Sequence, residues 1–294
     1  MKTIQLLIGM PGILSVKKGK GIYHDKMKSI TKLCLLFIMV LVSVNLVFAQ
    51  DEEDLSQQAA NPIANLMSFP FQNNTNFGIG PYDRTSNVLN IQPVIPFFDG
   101  MLITRTIFPI VWIPDVTQES GMVSTGLSDI LLTAFYVPPS EKLTWGPGLA
   151  IEIPSGGEKR GSEKWGVGPS IVLLVQPGDW TFGLLANNIW SVAGNSDAAD
   201  VNKGLINLFI VRQLGEGWYV TSAPIITVNW NAESGQQWSV PIGAGTGKLS
   251  FVGGKLPLNI QIHYYYYVVK PDFGPDWQLR TQIQVLLPTS ILGG

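Results

Sequence analysis

The sequence predicts an all-β protein: a transmembrane antiparallel up-and-down β-barrel of about twelve strands, with both termini on the periplasmic side. Three observations predict it. The last two apolar runs alternate with period two, the connections between runs alternate short and long, and all nine tryptophans fall near run ends. In Leu258 to Tyr266 one face carries Leu258, Ile260, Ile262, Tyr264 and Tyr266, and the other Asn259, Gln261, His263 and Tyr265. From Gln278 to Val285 the odd positions are apolar or Thr, and Gln278, Arg280, Gln282 and Gln284 occupy the even ones. Successive Cβ atoms of a strand point to opposite faces, so this period means β-strand. A soluble sandwich would show the same alternation, so the hairpin needs the rest of the chain to decide between solvents.

The N-terminal 49 residues stand apart from the fold. Lys26, Lys28 and Lys32 precede an apolar run from Leu33 to Phe48, and Val47-Phe48-Ala49 has side chains that suit signal-peptidase cleavage before Gln50. This run of 16 residues is short for a spanning helix, which needs about 20. Residues 27–49 are therefore expected to be a signal peptide and residues 1–26 a non-native upstream extension with Met27 as the start. Without residues 1–49 the chain has 245 residues, 12 basic against 20 acidic side chains, a net charge of −8 and no cysteine. That composition excludes a basic nucleic-acid surface, a disulfide framework and thiolate chemistry. After the leader, no apolar run approaches 18 residues, which excludes a helical membrane protein.

Taken in order, residues 50–62 form an acidic, Gln/Ala-rich stretch that ends at Pro62 and reads as a flexible arm or plug. The barrel is expected over residues 63–288, with a tail at 289–294. A first strand is placed at Ile63 to Phe71, followed by strands at 88–97, 101–113, 127–137, 143–153, 165–176, 180–192, 204–214, 218–230, 238–251, 255–269 and 277–287. Tight turns fall at 98–100, 138–142, 177–179, 215–217 and 252–254. Longer polar connections fall at 72–87, 114–126, 154–164, 193–203, 231–237 and 270–276. Short turns at one end and long loops at the other are the pattern of outer-membrane barrels, and Greek-key sandwiches do not sort loops this way. Tryptophan at strand ends suits the headgroup level of a membrane. Pro93, Pro96, Pro109, Pro169, Pro224 and Pro241 lie inside these runs. A closed barrel has no edge to hide a missing N–H, so they are expected at bulges.

Several ordered pieces carry a resemblance. Asn61-Pro62-Ile63-Ala64-Asn65-Leu66, Phe71-Gln72-Asn73-Asn74-Thr75-Asn76, Arg105-Thr106-Ile107-Phe108-Pro109, Gly126-Leu127-Ser128-Asp129, Trp165-Gly166-Val167-Gly168-Pro169-Ser170 and Asp276-Trp277-Gln278-Leu279-Arg280 stand in an order that resembles the bacterial family labelled "MetA-pathway of phenol degradation". Its members are also called transporters or, misleadingly, neuromedin U. The resemblance implies an outer-membrane barrel with a role in uptake of aromatic or other hydrophobic compounds, and it carries over no catalytic or ligand residues. The chain departs from barrel habit at its end, where Leu287 to Gly294 lacks a terminal aromatic.

Charged side chains inside strands are costly against lipid, so Arg105, Asp129, Glu152, Arg212 and Arg280 are expected to face inward. Arg105, Asp129, Glu152, Asn229, Gln261, His263, Arg280, Gln282 and Gln284 form the candidate lumen lining. Twelve strands imply a lumen narrower than that of a general porin. An interior mixing aliphatic groups with few charges points to selective passive uptake of small hydrophobic or aromatic compounds. Two alternatives stand beside it: a structural or surface-interaction barrel that transports nothing, and an outer-membrane hydrolase built on His263, the only histidine after the leader. No enzyme activity, catalytic residue, cofactor or metal is expected. Gly243 to Lys248 lacks the spacing of a phosphate loop. Asp197 and Asp200, with Asn195 and Asn202, lack the ligand spacing of an EF-hand. Lys159, Arg160 and Lys164 form a cationic cluster that could meet lipopolysaccharide phosphates. The expected setting is the bacterial outer membrane, and the expected partners are outer-membrane lipid and lipopolysaccharide, the barrel-assembly machinery and a small hydrophobic solute, with no nucleic acid.

Overall fold

The computed structural model describes residues 52–140 and 142–287. The expected upstream extension, the signal peptide and the C-terminal tail lie outside the described residues. One helix, α1 (Glu52–Ala59), precedes fifteen strands: β1 (Met67–Ile79), β2 (Arg84–Ile91), β3 (Val94–Phe97), β4 (Leu102–Pro114), β5 (Met122–Leu127), β6 (Ile130–Tyr136), β7 (Thr144–Ile153), β8 (Lys164–Val175), β9 (Trp180–Gly194), β10 (Asn202–Gly215), β11 (Trp218–Ser222), β12 (Ile225–Asn229), β13 (Trp238–Val252), β14 (Leu256–Val269) and β15 (Trp277–Leu287). All pairings are antiparallel, each stave pairs with the staves before and after it in the chain, and β15 pairs with β1 to close the ring. Three staves are each split in two, β2 with β3, β5 with β6, and β11 with β12, so the closed barrel has twelve staves.

Proline explains the splits. Pro93 separates β2 from β3, and Pro224 separates β11 from β12. The break at Ser128 and Asp129 lies opposite Pro109, whose carbonyl accepts from the Ser128 N–H at 2.8 Å. A ladder interrupted by a residue without a donor re-forms after a one- or two-residue jog. Pro241 stands at a register shift between β13 and β14.

The sorting of connections survives, with one correction. The long loop expected at 72–87 is mostly strand, because β1 runs on to Ile79 and turns within four residues to β2. The Asn-rich stretch reads as loop by composition, yet its amides are satisfied in pairs. Asn73 donates to the Asn87 side-chain oxygen at 2.9 Å, and Asn87 in turn donates to Asn73 and Thr75. At its other end β1 begins at Met67 rather than Ile63. Residues Ile63, Ala64 and Leu66 leave the wall and are buried among inward-facing side chains.

Both described ends of the chain lie at the tight-turn end of the barrel, where β1 starts and β15 finishes. There the turn between β3 and β4 takes left-handed backbone at Phe98, Asp99 and Gly100, the geometry that matches strand twist in two-residue hairpins. A side chain at Gly100 would meet Asn65 of the arm at 2.8 Å.

Candidate functional site

Alternation sorts the wall into two faces. On β14 the residues Ile260, Ile262, Tyr264 and Tyr266 are each about half exposed, at 51, 49, 52 and 51 %, whereas Asn259, His263 and Tyr265 are at most 3 % exposed. The same outward row continues through Leu149, Ile171, Phe182, Leu208, Ile210, Val220 and Ile283 on other staves. Tryptophans bracket it. Trp145, Trp180 and Trp218 stand beside tight turns, and Trp165, Trp190, Trp230 and Trp277 beside long connections. A closed barrel with an outward apolar band between two aromatic girdles is built for a bilayer.

The inner face differs from sector to sector. Around β3, β4, β6, β8 and β9 it carries an apolar cluster: Val94, Ile103, Phe135, Val172 and Leu185 pack on Ile63 of the arm. Around β13, β14, β15 and β1 it is polar, and Arg280 is its centre. Its guanidinium donates to the Asn74 side-chain oxygen at 2.9 Å, to the Ala223 carbonyl at 2.8 Å and to the Gln278 oxygen at 3.2 Å. It also stands 4.7 Å from the Tyr265 ring centroid. That ring stacks on His263, with centroids 5.7 Å apart. His263 pairs directly with Arg280 across β14 and β15, and both of its ring nitrogens are buried without a partner.

The row of glycines in β13 makes room for these rings. Gly243 pairs with Tyr265, Gly245 with His263 and Gly247 with Gln261. A Cβ on Gly247 would stand 2.3 Å from the Tyr219 ring, and one on Gly245 would meet the His263 ring at 2.7 Å. The stretch from Gly243 to Lys248 is thus strand wall, and its small residues seat aromatic groups.

Three chambers lie along the barrel. Nearest the long loops is a vestibule of about 340 Å³ bordered by Asn74, Asn76, Asn90, Thr227, Tyr267 and Arg280. In the middle is a cavity of about 140 Å³ bordered by Gln92, Arg105, Phe209, His263, Arg280 and, as its floor, Ala59 to Pro62. At the tight-turn end is a crevice of about 310 Å³ between arm residues Asn61 to Asn65 and the turns around Gly100 and Pro138. Arg280 borders both the first and the second; Asn61 borders both the second and the third.

Helix α1 forms the rest of the floor. Leu55 is fully buried with Leu249, Leu286, Ala64 and Leu66. Ser56 donates to the Gln213 side-chain oxygen at 2.6 Å, and Gln57 donates to the Gly178 carbonyl at 2.6 Å. Nothing in the local sequence of residues 52–62 points to Gly178, Gln213, Leu249 or Leu286, which are more than a hundred residues away.

The candidate lining divides on this geometry. Arg105, Gln261, His263, Arg280, Gln282 and Gln284 border the middle cavity. Asp129 sits elsewhere: its carboxylate accepts from the Gly156 N–H at 2.9 Å and from Ser162, both backbone and hydroxyl, and so ties down the connection between β7 and β8. Glu152 is buried in a 2.6 Å ion pair with Lys203 between β7 and β10. Asn229 is exposed at the long-loop rim, where its side chain accepts from the Asn231 N–H. Arg212 corrects the inward expectation. It is exposed on the outer face, 5.3 Å from the Trp180 ring, close to the tight turns where an interfacial cation is affordable.

The other motifs resolve similarly. Lys164 is buried and faces Asp200 at 3.4 Å, and Arg160 donates to the Leu127 carbonyl and to Ser124, so the expected cationic cluster is dispersed. Among the described residues no three His, Cys, Asp or Glu side chains converge as metal ligands. His263 has neither a hydroxyl nor a carboxylate partner, so a Ser-His-acid relay is not assembled around it. The buried pairing of Arg280 with Ala223 was invisible in the sequence, since it depends on the break at Pro224.

The class is set by these features: this is an outer-membrane β-barrel. No protein-family model matches the sequence, and no curated protein matches it. Among solved structures the chain is similar to an outer membrane channel from Pseudomonas putida F1, at 17 % identity over 76 % of this chain and 94 % of that one, with a TM-score of 0.54. It is similar also to the NanC porin, at 10 % identity over 74 % and 98 %, with a TM-score of 0.51. At these identities the likeness is one of fold.

Proposed function

We propose that the barrel is a selective passive channel for small molecules with an aromatic or other apolar body. The observation that carries this reading is the series of three chambers, with Arg280 bordering the first two and Asn61 the last two, along an interior with an apolar cluster and a polar sector. A general porin keeps an open aqueous lumen; here the middle chamber holds on the order of one aromatic ring, since a protein cavity of about 150 Å³ accommodates benzene. The channel or porin character of the two similar structures agrees with passage, and the resemblance to the phenol-degradation family agrees with an aromatic solute. In this reading the tight turns and α1 face the periplasm, and the long connections face the outside.

One observation favours a second reading, a barrel that transports nothing: α1 is docked on the floor through Leu55, Ser56 and Gln57. Proteoliposome uptake separates the two. The wild-type protein is expected to admit benzyl alcohol and benzoate and to exclude raffinose. Leu55→Asp places a charge in the helix's apolar seat and is expected to raise uptake several-fold while the barrel keeps its heat-shifted migration. Equal passage of salts and oligosaccharides by the wild type would make it a general porin. No uptake by wild type and variant alike would make it a structural barrel.

A further inference from the structure

The middle cavity contains two guanidinium groups and no acid. Arg105 and Arg280 both border it, and no Asp or Glu does. Arg105 donates to the Gln92 side-chain oxygen at 2.5 Å, and Arg280 to an asparagine, a glutamine and a backbone carbonyl. All four acceptors are neutral. Among the described residues neither arginine has a carboxylate within 4.0 Å, although the barrel elsewhere pairs its buried charges, as with Glu152 and Lys203. Burying two like charges together without a counter-charge is unfavourable in a low dielectric, and the arrangement is relieved by an anion between them.

His263 is the second and independent observation. It is 3 % exposed, it borders the same cavity, and both ring nitrogens lack partners. Buried polar atoms in native structures are nearly always satisfied, and an orphan marks a place where something is missing. One ring nitrogen carries a hydrogen in the neutral form, so His263 holds a donor in reserve beside the two forks. The same cavity is also bordered by the apolar side chains of Val94, Phe209, Val211 and Ile225.

We propose that the cavity is a binding site for one small organic carboxylate, its carboxylate held between Arg105 and Arg280 with a hydrogen bond from His263, and its apolar body against Phe209 and Val211. Guanidinium forks match the planar carboxylate in bidentate geometry, and the apolar wall excludes a hydrated inorganic anion. The site deepens the channel reading by naming its solute class, and it rests on that reading only for the consequence that such solutes permeate.

Equilibrium binding to the folded barrel in detergent tests the site without transport. Benzoate is expected to bind at least tenfold more tightly than benzamide, its neutral isostere. Arg105→Gln is expected to weaken benzoate binding about tenfold and to leave benzamide unchanged, and His263→Ala to weaken it about threefold. Arg280→Lys, which keeps the charge and loses the fork, should weaken it severalfold; heat-shifted migration checks that each variant is folded. Benzamide binding as tightly as benzoate, an unaffected Arg105→Gln, or displacement of benzoate by equimolar chloride would each overturn the site. Charge-selective binding without any proteoliposome uptake would sink the channel reading and leave the site standing. Uptake with no preference for benzoate over benzyl alcohol or benzamide, in wild type and Arg105→Gln alike, would do the reverse.

Discussion

The two sectors of the inner wall are made by the same rule of alternation and end in opposite chemistries. On β8 the inward positions include Val172 and Leu174, and on β9 Leu185 and Ile189, all buried, while the outward positions are apolar too. On β14 and β15 the inward positions between Pro257 and Leu286 include Asn259, Gln261, His263, Gln278, Arg280, Gln282 and Gln284, and the outward row is mostly apolar. The apolar sector is held by packing against the arm, as a soluble core is. The polar sector is held by hydrogen bonds that run from side chain to side chain, such as Tyr219 to Asn259 at 2.6 Å and Asn259 to Gln284 at 3.1 Å. One half of the lumen is filled, and the other half is lined. The cavity lies where they meet.

The largest effect expected from breaking this contrast is in the apolar sector. Phe135 is fully buried in the cluster around Ile63, and truncating a buried phenylalanine costs about 3–5 kcal/mol. Phe135→Ala should lower the unfolding free energy measured by urea titration in micelles by that amount, and should loosen Ile63 and the arm with it. A loss below about 1 kcal/mol would mean that this half of the lumen is not close-packed.

A smaller effect is expected in the polar sector, with the opposite hydropathy. Asn259 is fully buried and joins Tyr219 to Gln284. Asn259→Leu adds apolar volume and strands the Tyr219 hydroxyl and the Gln284 oxygen, each at about 1–3 kcal/mol. The variant should therefore be less stable than wild type by about 2 kcal/mol. If instead it is more stable, the polar sector is packed like the other, and the contrast disappears.

The same contrast explains what was legible in the sequence. Eleven of the twelve staves, and the first in part, could be placed from turn signals and runs. The lumen-facing row was plain only on β14 and β15, because polar inside against apolar outside is a pattern with two letters. Through the middle of β8 and β9 both faces are largely apolar, and periodicity there carries little sign of which side is which. Asn73, Asn74 and Asn76 failed differently: composition marked them as loop, and only pairing with Asn87, Arg280 and Gln278 makes strand of them. Where the arm docks was not legible because its partners, Gln213, Leu249 and Leu286, are remote in sequence. Arg280 stands in a polar row with Gln278 and Gln282 whereas Arg212 shares its row with Leu208 and Ile210, and the two lie on opposite faces of the wall.

That pair supplies the smallest predicted effect. Arg280 is 5 % exposed and makes three hydrogen bonds inside the wall, whereas Arg212 is exposed beside Trp180. A cation over an aromatic ring at an exposed site contributes about 0.5–1 kcal/mol. Near the interface an arginine facing lipid costs only about 0–1 kcal/mol, so the two contributions nearly cancel. Arg212→Ala should change the unfolding free energy by less than about 1 kcal/mol and leave benzoate binding untouched. A loss of several kcal/mol would show that Arg212 holds the wall near the tight turns, and the division between a structural outer face and a recognising inner face would have to be redrawn there.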